Sequence, residues 1–371
     1  MIPFNKPYFT GNETQYIEDA VKRGKISGNG DYTKQCQDYF EKTFGFKKAL
    51  LTTSCTDALE MCAILADIKL GDEVIIPSFT FVSTALAFVR QGATIIFADS
   101  CNNNPNINTS QIEGLITSKT KVIVVVHYAG VACDMDVIMS IASKYNLLVI
   151  EDAAQAICSK YNGKPLGAIG HMAAFSFHET KNIISGEGGL LAINDDRFIN
   201  RAEIIWEKGT NRAEFFRGEI NKYEWVDTGS SFLPSEIIAA FLWAQIENID
   251  NIQNKRIQHW HYYYTHLKKW ANKSNIELMP IPKSESNNAH MFYLVCKSEE
   301  QRKLLIKHLK KQDILAVFHY LSLHTSVYYK EKHDGRKLPN SDKFTDRLLR
   351  LPMFYELKPE KIVNAIITFN G

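Results

Sequence analysis
Between Lys47 and Asp152 short β-rich runs alternate with longer stretches of helical spacing, and few architectures accept that pattern. The runs at 49–53, 73–77, 94–98, 121–127 and 147–152 read as strands, with helices expected between them at 56–67, 81–91, 110–118 and 136–145. Such alternation predicts a mostly parallel sheet with helices on both faces. Sites in sheets of this kind gather at the carboxyl ends of the strands. Polar residues that follow those ends are therefore the first candidates for chemistry.

The flanks are less regular. Residues 1–35 carry Pro3, Pro7, Gly11, Gly24, Gly28 and Gly30 around a helical stretch at 13–23, which predicts an arm and a loop, and helical spacing returns over 32–44. A helix from 197 to about 208 precedes a polar, aromatic loop at 209–232. Residues 234–270 read as nearly continuous helix, a length that commonly connects two lobes, with Pro234 acceptable in a first turn. Strands at 291–296 and 315–318 and helices at 299–312 and 342–349 follow, while 328–337 has the composition of an exposed loop. A chain of 371 residues is comfortable as two units. The expectation is an α/β protein: an arm and large domain at 1–245, and a smaller α+β domain at 246–371 entered by the long helix.

Charge and composition exclude several classes of function. With 43 basic and 41 acidic residues the net charge is +2, so no polyanion-tracking surface and no nucleic-acid partner is expected. No basic leader with an apolar core opens the sequence, and no apolar run approaches the roughly twenty residues that span a bilayer. A cytoplasmic protein without membrane insertion is expected. The seven cysteines, at 36, 55, 62, 101, 133, 158 and 296, form no CxxC pair. The imidazoles of His259 and His261, or of His319 and His324, lack a carboxylate at ligand spacing, so no metal is expected.

The stretch Ala174-Phe-Ser-Phe-His-Glu-Thr-Lys-Asn-Ile-Ile-Ser-Gly-Glu-Gly-Gly-Leu190 sets one lysine, Lys181, between two apolar runs. Desolvation lowers an amine's pKa and leaves a nucleophile able to attack an aldehyde. Taken alone, Lys181 also fits a solvated turn lysine. Asp152 ends the strand run Leu147-Leu-Val-Ile150-Glu-Asp. It is either a cap for the next turn or a partner for a protonated pyridine nitrogen. In Leu51-Thr-Thr-Ser-Cys-Thr-Asp-Ala-Leu59 a strand end, a run of hydroxyls and a helix N-terminus make an anion cradle, or merely a capped helix. Phe79 and Phe81 offer an apolar face for a ring, or belong to the core.

The ordered set Thr53-Ser-Cys-Thr-Asp-Ala-Leu59, Pro77-Ser-Phe-Thr-Phe81, Glu151-Asp-Ala-Ala-Gln155 and Ser176-Phe-His-Glu-Thr-Lys-Asn182 with Gly186-Glu-Gly-Gly189 resembles the DegT/DnrJ/EryC1/StrS family of nucleotide-sugar aminotransferases. Likeness in Ile2-Pro-Phe-Asn5, Val126-His-Tyr-Ala-Gly-Val-Ala-Cys133, Glu207-Lys-Gly-Thr-Asn-Arg212, Phe216-Arg-Gly218 and Ala316-Val-Phe-His-Tyr-Leu-Ser-Leu-His324 extends it over the whole chain. The resemblance implies a fold-type I homodimer with active sites at the interface, using pyridoxal 5′-phosphate to move an amino group from glutamate to a dTDP-4-keto-6-deoxyhexose. It implies Lys181 as the Schiff-base lysine and proton carrier, Asp152 on the pyridinium nitrogen and Gln155 beside the ring's O3′. Ser54, Cys55, Thr56 and Ser176 would hold the phosphate, and Phe81 would stack on the ring. His178, if it is not simply a structural histidine, would line the sugar side. His319, Tyr320 and the arm at 25–32 are candidates for substrate contacts.

One departure stands out. Many members of the family carry Gly-Tyr-Asn-Tyr-Arg where this chain has Gly229-Ser-Ser-Phe-Leu233, so Ser231 replaces the Asn that reaches the partner's cofactor phosphate. At C4 of the sugar the galacto product is expected, with the gluco epimer as the alternative. A pyridoxamine-dependent dehydratase resembles the family too but has histidine in place of the lysine, so Lys181 speaks against it. A non-catalytic cofactor-binding regulator would have no need of the whole set.

Overall fold
The computed structural model describes residues 1–281 and 286–370. Five strands form where the Val- and Ile-rich runs predict them, each starting within one residue of expectation: β1 (Lys48–Thr52), β2 (Glu73–Pro77), β3 (Thr94–Ala98), β4 (Thr120–Val126) and β5 (Leu148–Asp152). Helices α1 (Glu13–Lys22) and α2 (Asp31–Phe44) precede the sheet. Helices α3 (Cys55–Leu65), α4 (Val82–Val89), α5 (Thr109–Leu115) and α6 (Met135–Tyr145) fill the crossovers. Side chains of Ser54, Asn108 and Asp134 accept from backbone N–H groups and cap α3, α5 and α6.

After the small hairpin of β6 (Lys160–Tyr161) and β7 (Lys164–Pro165), β8 (Met172–Ser176) and β9 (Gly189–Ile193) complete the main sheet. Its order is β1-β9-β8-β5-β4-β2-β3. Only β9 runs antiparallel to its neighbours, so the ends of β1, β2, β4, β5 and β8 share one edge. Helices α7 (Ile199–Trp206), α8 (Arg212–Phe216), α9 (Glu236–Glu247) and α10 (Ile249–Lys273) follow. A second, antiparallel sheet is ordered β10-β11-β13-β12, from β10 (Glu277–Leu278), β11 (Phe292–Val295), β12 (Val317–Phe318) and β13 (Leu348–Leu351). It is flanked by α11 (Glu299–Lys310), α12 (Pro339–Arg347) and α13 (Pro359–Ile367).

Three expectations are corrected. The helix expected over 234–270 is two helices, broken at Asn248, whose backbone leaves helical values (φ −108°, ψ 11°) while its side-chain amide donates to Ala244 O at 3.1 Å. Ile249 and Ile252 at the start of α10 belong to the core of the main sheet, and Trp260, Tyr263 and Leu267 further along belong to the core of the second. The helix expected to reach residue 349 stops at Arg347, because Leu349 pairs with both Leu294 and Phe318 in the second sheet. The stretch at 328–337 is not wholly exposed: Tyr329 is buried, and its hydroxyl accepts from Ile95 N at 2.6 Å on the free edge of β3.

Candidate active site
At the shared strand edge Thr52 and Ser176 both lie opposite Gly189 in register. A Cβ on Gly189 would stand 2.4 Å from Ser54 C and 2.5 Å from Cys55 N. Only glycine lets β9 begin directly beneath the start of α3. That helix start forms one wall of a cavity of about 870 Å³, lined there by Ser54, Cys55, Thr56, Ser83 and Ser176. Thr56 Oγ1 and Ser83 Oγ lie 2.8 Å apart. Hydroxyls gathered at the positive end of a helix dipole suit a phosphate. Burial pushes the Cys55 thiol well up, so it offers no competing thiolate.

Asp152, the last residue of β5, is buried and faces the same cavity. Its Oδ2 accepts from Thr84 Oγ1 at 2.7 Å and its Oδ1 from Ala154 N at 3.2 Å. Burial raises its carboxyl above the ordinary range, while Thr84, Ala154 and the Lys181 ammonium pull it back. Its neighbour Glu151 points the other way, into a fully buried pair with His127 (2.8 Å), and accepts from Gly167 N, Ile169 N and Gly170 N.

Lys181 also lines the cavity, in the connection from β8 to β9 that Phe177 N to Gly188 O (2.8 Å) and Ser185 N to Phe177 O (2.7 Å) close. Burial draws its amine below the ordinary lysine range; Cys55 and Asp152 oppose that shift and Arg350 adds to it. The solvated-turn reading of Lys181 thus does not describe it. Asn182 anchors this connection: its amide donates to Gln253 Oε1 and Asn288 O, and its Oδ1 meets His290 Nδ1 at 2.9 Å.

Gln155 lines the wall beside Asp152, accepting from Ala129 N at 2.6 Å and donating to Tyr320 Oη at 3.0 Å. Tyr320 stacks on His319, whose Nδ1 bonds the Tyr128 hydroxyl, and both rings line the cavity. Burial, then Arg350, His290 and Lys181, hold the His319 imidazole well below its usual range and neutral. Phe81 is 55% exposed at the cavity and 5.9 Å from Tyr320 between ring centroids, whereas Phe79 is a core aromatic. His178 stands at the rim with Nδ1 accepting from Thr180 N. Ser231 is exposed and lies outside this cavity, bridged to Glu207. The arm at 25–32 also lines no part of it, because Gly30 N, Tyr32 N and Thr33 N are drawn onto the Glu236 carboxylate.

Several lining residues escaped the sequence. Phe4 and Asn5 reach the cavity from the arm, with Asn5 Nδ2 donating to Glu179 O at 3.0 Å. His290, just before β11, and Arg350, on β13, also line it. Arg350 lies just past the helix expected at 342–349 and was given no role; it is on β13.

A family model described as the DegT/DnrJ/EryC1/StrS aminotransferase family matches residues 7–369. The chain belongs to that family. GDP-perosamine synthase of Escherichia coli O157:H7 is 32% identical over 374 residues, covering 100% of this chain and 98% of its own. SpsC, a spore coat polysaccharide biosynthesis protein of Bacillus subtilis strain 168, is 29% identical over 375 residues, covering 98% and 95%. Among solved structures, an aminotransferase of Psychrobacter cryohalolentis superposes with a TM-score of 0.91 at 26% identity over 98% of each chain. Spr1654 of Streptococcus pneumoniae in its PLP form gives 0.88 at 25% identity over 99% of this chain and 96% of its own.

The fold is accordingly that of the pyridoxal phosphate-dependent aminotransferases, and the cofactor is pyridoxal phosphate. This aminotransferase's cavity fits that group on its own geometry. It has a hydroxyl-lined helix start that a single methyl group on Gly189 would obstruct, a buried carboxylate, and a lysine whose amine is biased towards its neutral form.

Proposed function
We propose that this aminotransferase moves the amino group of glutamate to C4 of dTDP-4-keto-6-deoxyglucose and forms dTDP-4-amino-4,6-dideoxygalactose. The observation that carries the reading is the Lys181 amine and the Asp152 carboxylate on one cavity, opposite an anion cradle. Support for the sugar comes from the resemblance running through Ile2–Asn5, Val126–Cys133, Glu207–Arg212, Phe216–Gly218 and Ala316–His324 to the dTDP-4-amino-4,6-dideoxygalactose transaminase of enterobacterial common antigen synthesis. A relative named for making GDP-perosamine supports a nucleotide-linked substrate.

Pyridoxal phosphate supplies an electron sink and carries the amino group between two half-reactions. The residues do the rest. Lys181 Nζ would hold the cofactor and would accept and return a proton at the reacting carbon. Asp152, kept in place by Thr84 and Ala154 N, would pair with the ring nitrogen and favour its protonated form. Ser54, Cys55, Thr56 and Ser176 hold the phosphate, Phe81 and Gln155 orient the ring, and Ser231 serves the partner's cofactor in a homodimer. His178, His319 and Tyr320 face the substrate. We place the protein in the cytoplasm, and we divide it into an arm and large domain at 1–245 and a smaller domain at 246–371.

Product analysis tests the reading. With dTDP-4-keto-6-deoxyglucose and glutamate, NMR should show 2-oxoglutarate and a ring proton at C4 with the small H3–H4 coupling of an axial amine. A large coupling would identify the gluco epimer. Loss of the amine-free sugar's hydroxyl without amination would mean a dehydratase.

A further inference from the structure
His290 carries one ring nitrogen that the protein uses and one that it leaves open. Nδ1 lies 2.9 Å from Asn182 Oδ1. The other partners of Asn182 dictate how its amide is turned. Its Nδ2 lies 2.8 Å from Asn288 O, a backbone carbonyl that can only accept, and 2.7 Å from Gln253 Oε1. The amide oxygen therefore faces the imidazole, and Nδ1 must carry the proton. Burial, then Lys181, Arg256 and Arg350, hold this imidazole well below its usual range, so the ring is neutral. A neutral ring protonated at Nδ1 keeps a bare lone pair at Nε2.

His290 lines the same cavity as Lys181, and its Nε2 has no hydrogen-bond partner among the described residues. It is not one of the side-chain atoms that burial leaves orphaned, so the lone pair opens on the cavity. The residue is pinned by its backbone as well: His290 N donates to Asn288 Oδ1 at 3.0 Å, and its carbonyl accepts from Arg256 Nη2 at 2.8 Å. An acceptor held this rigidly is placed for one donor. Of the charges that act on the ring Lys181 is the strongest, and Asn182, bonded to the ring, is the next residue in the chain. Lys181 Nζ has no hydrogen-bond partner among the described residues either, whereas Arg256 spends its guanidinium on Ala289 O and His290 O. A primary amine anchored through one N–H has its lone pair aimed instead of free to rotate, which is what proton transfer at carbon requires.

We infer that His290 is a positioning residue: its Nε2 accepts a hydrogen bond from Lys181 Nζ and so aims that amine's lone pair at the reacting carbon. This rests on the reading of Lys181 as the proton carrier and deepens it. In the transfer Nζ takes the hydrogen as a proton, the electron pair of the broken C–H bond stays with carbon, and the proton later leaves Nζ again. His290 neither gains nor loses a proton.

Two substitutions separate the edges of the ring. His290→Asn sets an amide nitrogen near the place of Nδ1, which keeps Asn182 bonded and removes the acceptor in the cavity. His290→Gln reaches the place of Nε2, which keeps an acceptor there and gives up Asn182. In the cofactor-loaded enzyme His290→Asn should lower kcat about 10- to 100-fold, with both substrate KM values changed less than about 3-fold, while His290→Gln keeps most of kcat. The acid limb of the kcat profile should move to lower pH in His290→Asn, because the lost acceptor no longer favours the Lys181 ammonium. Independently of turnover, heteronuclear NMR of the histidine-labelled holoenzyme should show that the signal missing from both variants has a protonated Nδ1 and a bare Nε2. A protonated Nε2 overturns the inference, and so does normal kcat in His290→Asn. A folded His290→Gln that alone loses kcat overturns it as well, leaving only the anchor on Asn182, and a rise confined to the KM for the nucleotide sugar would make His290 a sugar contact instead. Should His290→Asn fail to fold, the tautomer and the His290→Gln kinetics decide. Normal transamination by Lys181→Ala would sink the proton carrier of the proposed function; normal kcat in His290→Asn, in an enzyme that Lys181→Ala inactivates, sinks the role of His290 alone.

Discussion
Two adjacent carboxylates at the end of β5 show how pleat alternation divides labour. Asp152 faces the cavity, is held by two donors, and is the residue proposed to serve the cofactor ring. Asp152→Asn should lower kcat by about 100- to 1000-fold, with substrate KM values changed only a few-fold, in steady-state assays. Glu151 faces inward. Burial opposes its charge, but the His127 side chain and the N–H groups of Gly170 and Gly167 outweigh burial and hold its carboxyl below the usual range. Stability from that pair is therefore full above the unfolded value near pH 4.3, and it is lost as pH falls through the lower folded value. Glu151→Gln should cost about 3–5 kcal/mol at neutral pH. In denaturant titrations the gap from wild type should shrink steadily below about pH 4.3. A gap independent of pH would refute the role given to the charge.

Among the elements, the contact of β9 with the start of α3 carries the most consequence. Gly189→Ala puts a methyl group against Ser54 and Cys55 backbone, where no flexible side chain can yield. The cost should be about 1–3 kcal/mol in stability. Because the displaced atoms are those of the anion cradle, cofactor affinity should fall as well, read by spectral titration with pyridoxal phosphate. A variant that is destabilised yet binds cofactor normally would separate the cradle from the helix start. The same logic explains α10, whose first turns serve one core and whose later turns serve the other. Gln253 on it is bonded to Asn182, the residue next to Lys181.

Apolar side chains are left uncovered at Phe81, which lines the cavity and is 55% exposed, and along α4 at Val82 (48%) and Leu86 (38%). The proposed homodimer offers a partner surface for them. Light scattering on the purified protein should give twice the 42.2 kDa of one chain, and a monomer at micromolar concentration would count against the homodimer. The main sheet could be read in advance because each strand carries its own apolar run and each crossover its own helical spacing, as in Glu73–Pro77 and Thr94–Ala98, found at the expected bounds. Motif residues such as Ser54, Asp152 and Lys181 were legible for the same reason: they follow strand ends, and strand ends share one edge. Arg350, His290 and Asn182 could not be valued in this way, since they gain their meaning only where the second sheet and α10 fold over that edge. Local pattern thus determined the sheet, its edge and the residues standing there. Which side chains converge from 100 or more positions away was decided by packing, because burial and pairing are properties of neighbours rather than of sequence.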